Sequence, residues 1–151
     1  MALEAVDTLL EEARGGVFFI PVTVTPREAQ AAAKRNGMAY FHIEGKNITR
    51  KEQLLIHVAT ALHFPQDFGH NWDALEECLA DMEWADADGY VIFYDHIDGL
   101  LAAHPDQFET FVEICRDAVA SWKEDDKAML VLLSGAKAPK GVAKLKKDAE
   151  E

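Results

Sequence analysis

Cysteine is almost absent from this sequence: among 151 residues, only Cys78 and Cys115 carry a thiol. Both fall on apolar faces of predicted helices, which favours buried free thiols over a disulfide or a metal site. Long hydrophobic runs are missing as well. None approaches the roughly 20 apolar residues needed to cross a bilayer. The opening Met1-Ala2-Leu3-Glu4 lacks the basic segment of a signal peptide, so the expectation is a cytoplasmic protein without membrane contact. The sequence also has no Gly-rich phosphate loop, no nucleophile motif and no paired CxxC, and no cofactor is expected.

The scarcest feature is positive charge in the second half. Between Gln66 and Asp126 there are 17 acidic residues, against Arg116 and Lys123 alone. The whole chain carries a formal charge of −12. Such a segment repels phosphates, which disfavours nucleic acid, and no direct nucleic-acid binding is expected. It suits a basic protein partner, whose approach it would steer. The plainer reading is that the acidity serves solubility. With 49% hydrophobic residues, the chain has enough apolar material for one domain with a real core.

What is present centres on residues 68–82. Gly69 allows a tight turn, and Asn71 is suited to cap a following helix. Trp72, Leu75, Leu79 and Met82 recur at helical spacing and define one apolar face. Asp73, Glu77 and Asp81 recur every four residues, with Glu76 beside them, and define an outward ridge. Like charges at that spacing repel. Glu77 and Asp81 also lie toward the negative end of the helix dipole. No Lys or Arg on this helix compensates them. The ridge is either simply solvated or suited to meet something positive.

The rest of the chain reads as alternating strands and helices. Residues 3–13 have the pattern of a surface helix, stopped by Gly15-Gly16. Val17–Val24 is a strand, with Pro21 marking an edge or an early end. Thr25-Pro26-Arg27-Glu28 starts a helix through a capping box, and Asn36-Gly37 ends it. Met38–Glu44 is a second strand, and Thr49-Arg50-Lys51-Glu52 repeats the capping-box pattern at the start of a second helix. After the acidic helix, Tyr90–Tyr94 is an apolar run typical of a strand covered on both faces. Short helical turns follow over Asp95–Ala103. A longer helix starts at Pro105, with Phe108, Phe111, Val112, Cys115 and Val119 on its core side. Ala128–Leu133 is the last expected strand. The tail holds Lys137, Lys140, Lys144, Lys146 and Lys147, and either frays or forms a loose terminal helix.

Alternation of this kind implies an α/β fold with a small parallel sheet. Three core strands are expected, with 17–24 as a fourth. Residues 1–38 form an extension packed on the core, 39–134 the main domain and 135–151 a basic tail.

Enzymatic chemistry has two starting points, His70 with Asp73 and Asp95-His96-Ile97-Asp98. Neither has a known ligand spacing, and no metal is expected. His42, His57, His63 and His104 are scattered and read as capping or surface groups. Glu76 and Glu77, adjacent on an exposed helix, are poorly placed for acid–base work. Trp72 reads first as a core residue.

The motif Phe68-Gly69-His70-Asn71-Trp72-Asp73-Ala74-Leu75, with acid at Glu77 and Asp81, resembles the barstar family of intracellular ribonuclease inhibitors. The resemblance covers about Ala39–Ser134, beginning at Phe41-His42-Ile43-Glu44-Gly45-Lys46-Asn47-Ile48. It implies a three-stranded parallel sheet covered by helices. It also implies a non-enzymatic function, in which a loop and helix plug the phosphate-binding active site of a basic ribonuclease, one to one. Asn71 and Asp73 match the family motif. Glu77 stands where the family's main active-site aspartate stands, and Asp117 aligns with a further acidic contact. Asp67 and Glu76 replace aromatic contacts, Trp72 replaces an aliphatic residue and Asp81 a glycine. The implied partner-binding set is Asp67, Asn71, Trp72, Asp73, Glu76, Glu77, Asp81 and Asp117. Being more acidic and less aromatic, it points to a ribonuclease other than barnase. The alternatives are a barstar-like adaptor for another basic protein, and a small hydrolase using His70 or His96.

Overall fold

The computed structural model describes residues 6–8, 14–20 and 22–145. Residues 6–8 are helical; the rest of the helix expected over 3–13 lies outside the described residues.

Five parallel strands form one sheet: β1 (Gly16–Ile20), β2 (Ala39–Glu44), β3 (Gly89–Asp95), β4 (Ala128–Ser134) and β5 (Ala143–Lys144), in the order β2-β3-β4-β1-β5. The expected parallel core is therefore β2-β3-β4, in the register His42↔Phe93 and Phe93↔Leu132. β1 pairs with β4 from Gly16↔Leu130 to Ile20↔Ser134, so β4 is an interior strand. That explains why β4 is buried at every position. A strand covered on both faces must be apolar on both, so its period-2 signal disappears.

The helices are α1 (Pro26–Arg35), α2 (Lys51–Ala61), α3 (Trp72–Asp81), α4 (Asp98–Ala103) and α5 (Pro105–Glu124). They divide unequally between the two faces. Leu54, Leu75, Leu100 and Phe111, from α2 to α5, pack in one core with Ile92 and Val131. Ala29, Ala32 and Ala33 of α1 pack in a second core with Val91, Phe93 and Leu132, joined by Val6. Small side chains let α1 lie close to the sheet. Full burial of each large apolar residue contributes about 1.5–3 kcal/mol.

Local chemistry sets the helix ends. The Glu28 N–H donates to Thr25 Oγ1 at 3.1 Å, and the Thr25 N–H donates to Glu28 Oε1 at 2.9 Å, closing the expected capping box. Gly37, with φ of 71°, supplies the left-handed residue after α1.

Three expectations are corrected. β1 ends at Ile20 rather than running to Val24, because the chain turns at 22–24 and buries Val24 in the second core. The start of α2 is closed by Gln53, not Glu52: the Gln53 Oε1 accepts from the N–H of Thr49 at 2.8 Å and of Arg50 at 3.2 Å. The tail does not fray as far as Leu145. Val142 is buried, the Arg116 guanidinium donates to the Gly141 carbonyl at 2.6 Å, and β5 adds to β1 with the Leu145 N–H donating to the Phe19 carbonyl.

Candidate functional site

The loop before α3 is held from beneath by aromatic packing. Phe68 is buried, with its ring centroid 5.0 Å from that of Phe64 and 4.8 Å from that of His70. Phe64 meets Trp84 edge-on at 5.7 Å, and Trp84 Nε1–H donates to the Leu62 carbonyl at 2.9 Å. His70 adopts a left-handed φ of 53°, so the chain turns sharply into the helix. Asn71 then caps α3: its Oδ1 accepts from the Ala74 N–H at 2.8 Å, and its Nδ2–H donates back to the Gly69 carbonyl at 3.3 Å.

α3 buries Leu75 and Leu79, followed by Met82 at its C-terminal end. Met82 has φ of 49°, a backbone region usually left to glycine or asparagine. Its complete burial holds that conformation in place. Trp72 is only half-buried, with the Lys51 ammonium 5.7 Å from its ring centre. α5 packs alongside α3, and Trp122 Nε1–H donates to the Leu79 carbonyl at 2.8 Å.

On this support Asp67, Asp73, Glu76, Glu77 and Asp81 are all exposed, as are Asn71 and, on α5, Asp117. None of these carboxylates forms an ion pair among the described residues. Arg116, the basic residue next to Asp117, is turned to the backbone of the tail. The half-buried Cys78 thiol registers the resulting field. Burial pushes its pKa up, and the charges of Asp81, Asp67 and Glu77 push it further in the same direction. Asp67 of the loop thus acts on the same point as Glu77 and Asp81 of the helix. Arrays of fixed, unpaired carboxylates of this kind suit charge-assisted hydrogen bonds to cationic groups.

The histidine motifs behave differently. His70 packs against Phe68 in the loop, the two rings tilted by 54°. Asp95, at the end of β3, is bound by His42 Nε2 at 2.9 Å, His96 Nδ1 at 3.1 Å and the Gly45 N–H at 3.0 Å. Burial works to raise the Asp95 pKa, but the Gly45 N–H and the two imidazoles outweigh it, and its carboxyl is held below the usual range. No serine, threonine or cysteine is hydrogen-bonded to either imidazole among the described residues. Nor is any group of three or more His, Cys, Asp or Glu side chains among the described residues arranged so that it could hold a metal ion. In the linear sequence His42 stands far from its carboxylate partner. Only the β2–β3 register brings it to Asp95, 53 residues away.

Fold and face together define a helix-covered parallel α/β domain that presents an uncompensated acidic loop and helix. Residues 38–134 match the family model described as Barstar (barnase inhibitor). The chain belongs to the barstar family. β1, α1 and β5 lie outside the matched span. No curated protein matches the chain. Solved structures of similar fold include the Aeropyrum pernix ORC2 protein in its ADPNP–ADP complexes (TM-score 0.57, 17% identity, 87% of this chain and 39% of that one). The ADP form of the same protein aligns with a TM-score of 0.62 and 14% identity, over 94% of this chain and 45% of that one. The chain thus spans less than half the length of these ORC2 chains, and at such identity the likeness is one of fold. No helix among the described residues is long and apolar enough to cross a membrane.

Proposed function

We propose that this protein is a non-enzymatic inhibitor of a basic ribonuclease in the cytoplasm, binding it one to one. The single observation behind this reading is the row of exposed, unpaired carboxylates on a capped, well-anchored loop and helix within the family-matched span. A ribonuclease cleft is cationic because it binds phosphates. Asp73, Glu77 and Asp81 would occupy those phosphate positions, with Asp67 and Glu76 flanking them and Asp117 reaching from α5. Asn71 would present the loop, and Trp72 would contribute its exposed ring edge. Because the carboxylates are already unpaired, binding breaks no internal ion pair. Because the helix is already capped, little ordering remains to be done.

A second reading is a barstar-like adaptor for another basic protein. It is favoured by the absence of exposed aromatic anchors on the ridge, since Asp67 and Glu76 occupy those positions and Trp72 is partly covered by Lys51. Calorimetric titration of a retained basic partner separates chance contact from the proposed face. Affinity should fall steeply with added salt and at least about tenfold in Glu77→Ala. Unchanged affinity in a combined Asp73→Asn, Glu77→Gln variant would place the interface elsewhere.

A further inference from the structure

A crevice of about 330 Å³ opens on the sheet face opposite α3, at the carboxyl ends of β1, β3 and β4. Open parallel sheets hold ligands at that end of their strands. One wall, Val22–Pro26, lies outside the family-matched span, and the remainder comes from the strand ends within it. The crevice therefore depends on the N-terminal extension.

Two of its polar groups have unused bonding capacity. Ser134 is 4% exposed and is the buried polar residue of the described core. Its carbonyl accepts from the Ile97 N–H at 3.1 Å, but its hydroxyl has no hydrogen-bond partner among the described residues. It is on the same strand side as Leu132 and borders the crevice. The hydroxyl is not sealed off from solvent, so it stays open to a group entering the crevice. Asp98 accepts from the Ala136 N–H through Oδ1 at 2.9 Å and through Oδ2 at 3.2 Å. Its carboxylate lies against Gly135, where a Cβ would come within 2.9 Å of Oδ1. One amide leaves most of that carboxylate's acceptor sites open. Asp95 is different: the Gly45 amide and two imidazoles already occupy it, and it contributes fixed negative charge.

The remaining lining is mainly apolar, with Phe93 as floor and Val24 and Pro26 as wall. Among the described residues no Lys or Arg borders the crevice. Anionic ligands are disfavoured there. A cation with several N–H donors and a short apolar stem meets every part of it. We propose that the crevice binds a small primary alkylammonium, its –NH₃⁺ held between the Asp98 carboxylate and the Ser134 hydroxyl and its chain laid on Phe93, Val24 and Pro26. This site is independent of the acidic helix on the other face.

The test is NMR titration of the isotope-labelled full chain with n-butylammonium chloride at about 0.15 M salt, where diffuse attraction to the acidic surface is screened. Saturable amide shifts are expected at Val24, Asp98, Gly135 and Ala136. Ser134→Ala should weaken binding about fivefold, the loss of one hydrogen bond. It should leave the unfolding midpoint unchanged, because the hydroxyl removed has no partner within the protein. Asp98→Asn, which can still accept from Ala136, should abolish saturation, whereas Glu77→Gln should not alter it. Shifts confined to α3, no shift at the crevice, native affinity in Ser134→Ala, or crevice shifts with ADP in place of the amine would each overturn the proposal.

Discussion

Trp122 Nε1 lies 2.8 Å from the Leu79 carbonyl oxygen, joining α5 to the last turn of the acidic helix through a buried indole. This bond fixes the relation between Asp117 on one helix and Glu77 and Asp81 on the other. Trp122→Phe keeps most of the ring but leaves the Leu79 carbonyl without this donor. The expected loss is about 1–3 kcal/mol in urea unfolding. A change below a few tenths would mean that the bond does not tie the helices together.

Asn71 carries the N-terminus of α3 through its bond to the Ala74 amide. Asn71→Ala should lower stability by about 1 kcal/mol, and Asn71→Ser by much less, since serine can also cap. Denaturant midpoints of the two variants check this directly. Equal losses would show that the side chain acts through something other than capping.

The acidic ridge should trade stability for binding. Asp73, Glu77 and Asp81 are spaced so that they repel, and no described cation offsets them. Glu77→Gln is expected to raise helix stability by about 0.2–0.5 kcal/mol for each like-charge pair removed, while weakening attachment to a basic partner. A stability loss in Glu77→Gln would reveal an unseen supporting role for the carboxylate.

Cys78 offers a probe of the same field that needs no partner. Its thiol is held above its ordinary pKa by burial first and then by Asp81, Asp67 and Glu77. Alkylation with iodoacetamide at mildly alkaline pH should be slower than for an exposed thiol, because less thiolate is present. Asp67→Asn and Glu77→Gln should each speed it. Cys115, fully buried and shifted in the same direction by burial, should stay unreactive in the folded chain. Rates unaffected by either neutralisation would separate the loop from the helix electrostatically.

Acid sensitivity should localise in part to Asp95. Its pKa lies below the ordinary 3.8 in the folded chain, so the unfolded chain takes up the proton first. The stabilisation is full above the unfolded value and is lost as pH falls through the folded one. Below about pH 4, Asp95→Asn should therefore lose stability less steeply than the native chain in urea unfolding at stepped pH. Parallel profiles would contradict this account of the Gly45–His42–His96 cage.

Much of the fold was legible because local signals agreed. The Thr25–Glu28 box, the Asn36-Gly37 stop and the uninterrupted apolar runs of β3 and β4 each point to one structure. α3 was legible for the same reason, as was the exposure of its carboxylates. What escaped depends on distant pairing. Nothing near Lys144 marks a strand; β5 exists because β1 presents a free edge. Nothing near His42 marks a partner for Asp95; parallel register supplies it. Val24 read as strand because it is apolar and β-branched, yet its burial comes from a turn folding onto the second core. Nothing near Trp122 marks its partner, the Leu79 carbonyl 43 residues away; the packing of α5 on α3 supplies it. The Ser134 hydroxyl could not be told from an ordinary strand end, since its significance lies in the crevice formed by Val22–Pro26.

The most direct test of the central claim is a stoichiometric titration of ribonuclease activity. The native chain, immobilised, is exposed to the cytoplasm and medium of its source organism, and any basic ribonuclease retained is assayed against increasing inhibitor. The account predicts activity falling linearly to zero at one equivalent, with Glu77→Ala restoring it. A retained basic protein whose bound and free forms show the same ribonuclease activity, or no such activity at all, would contradict inhibition and leave the adaptor reading.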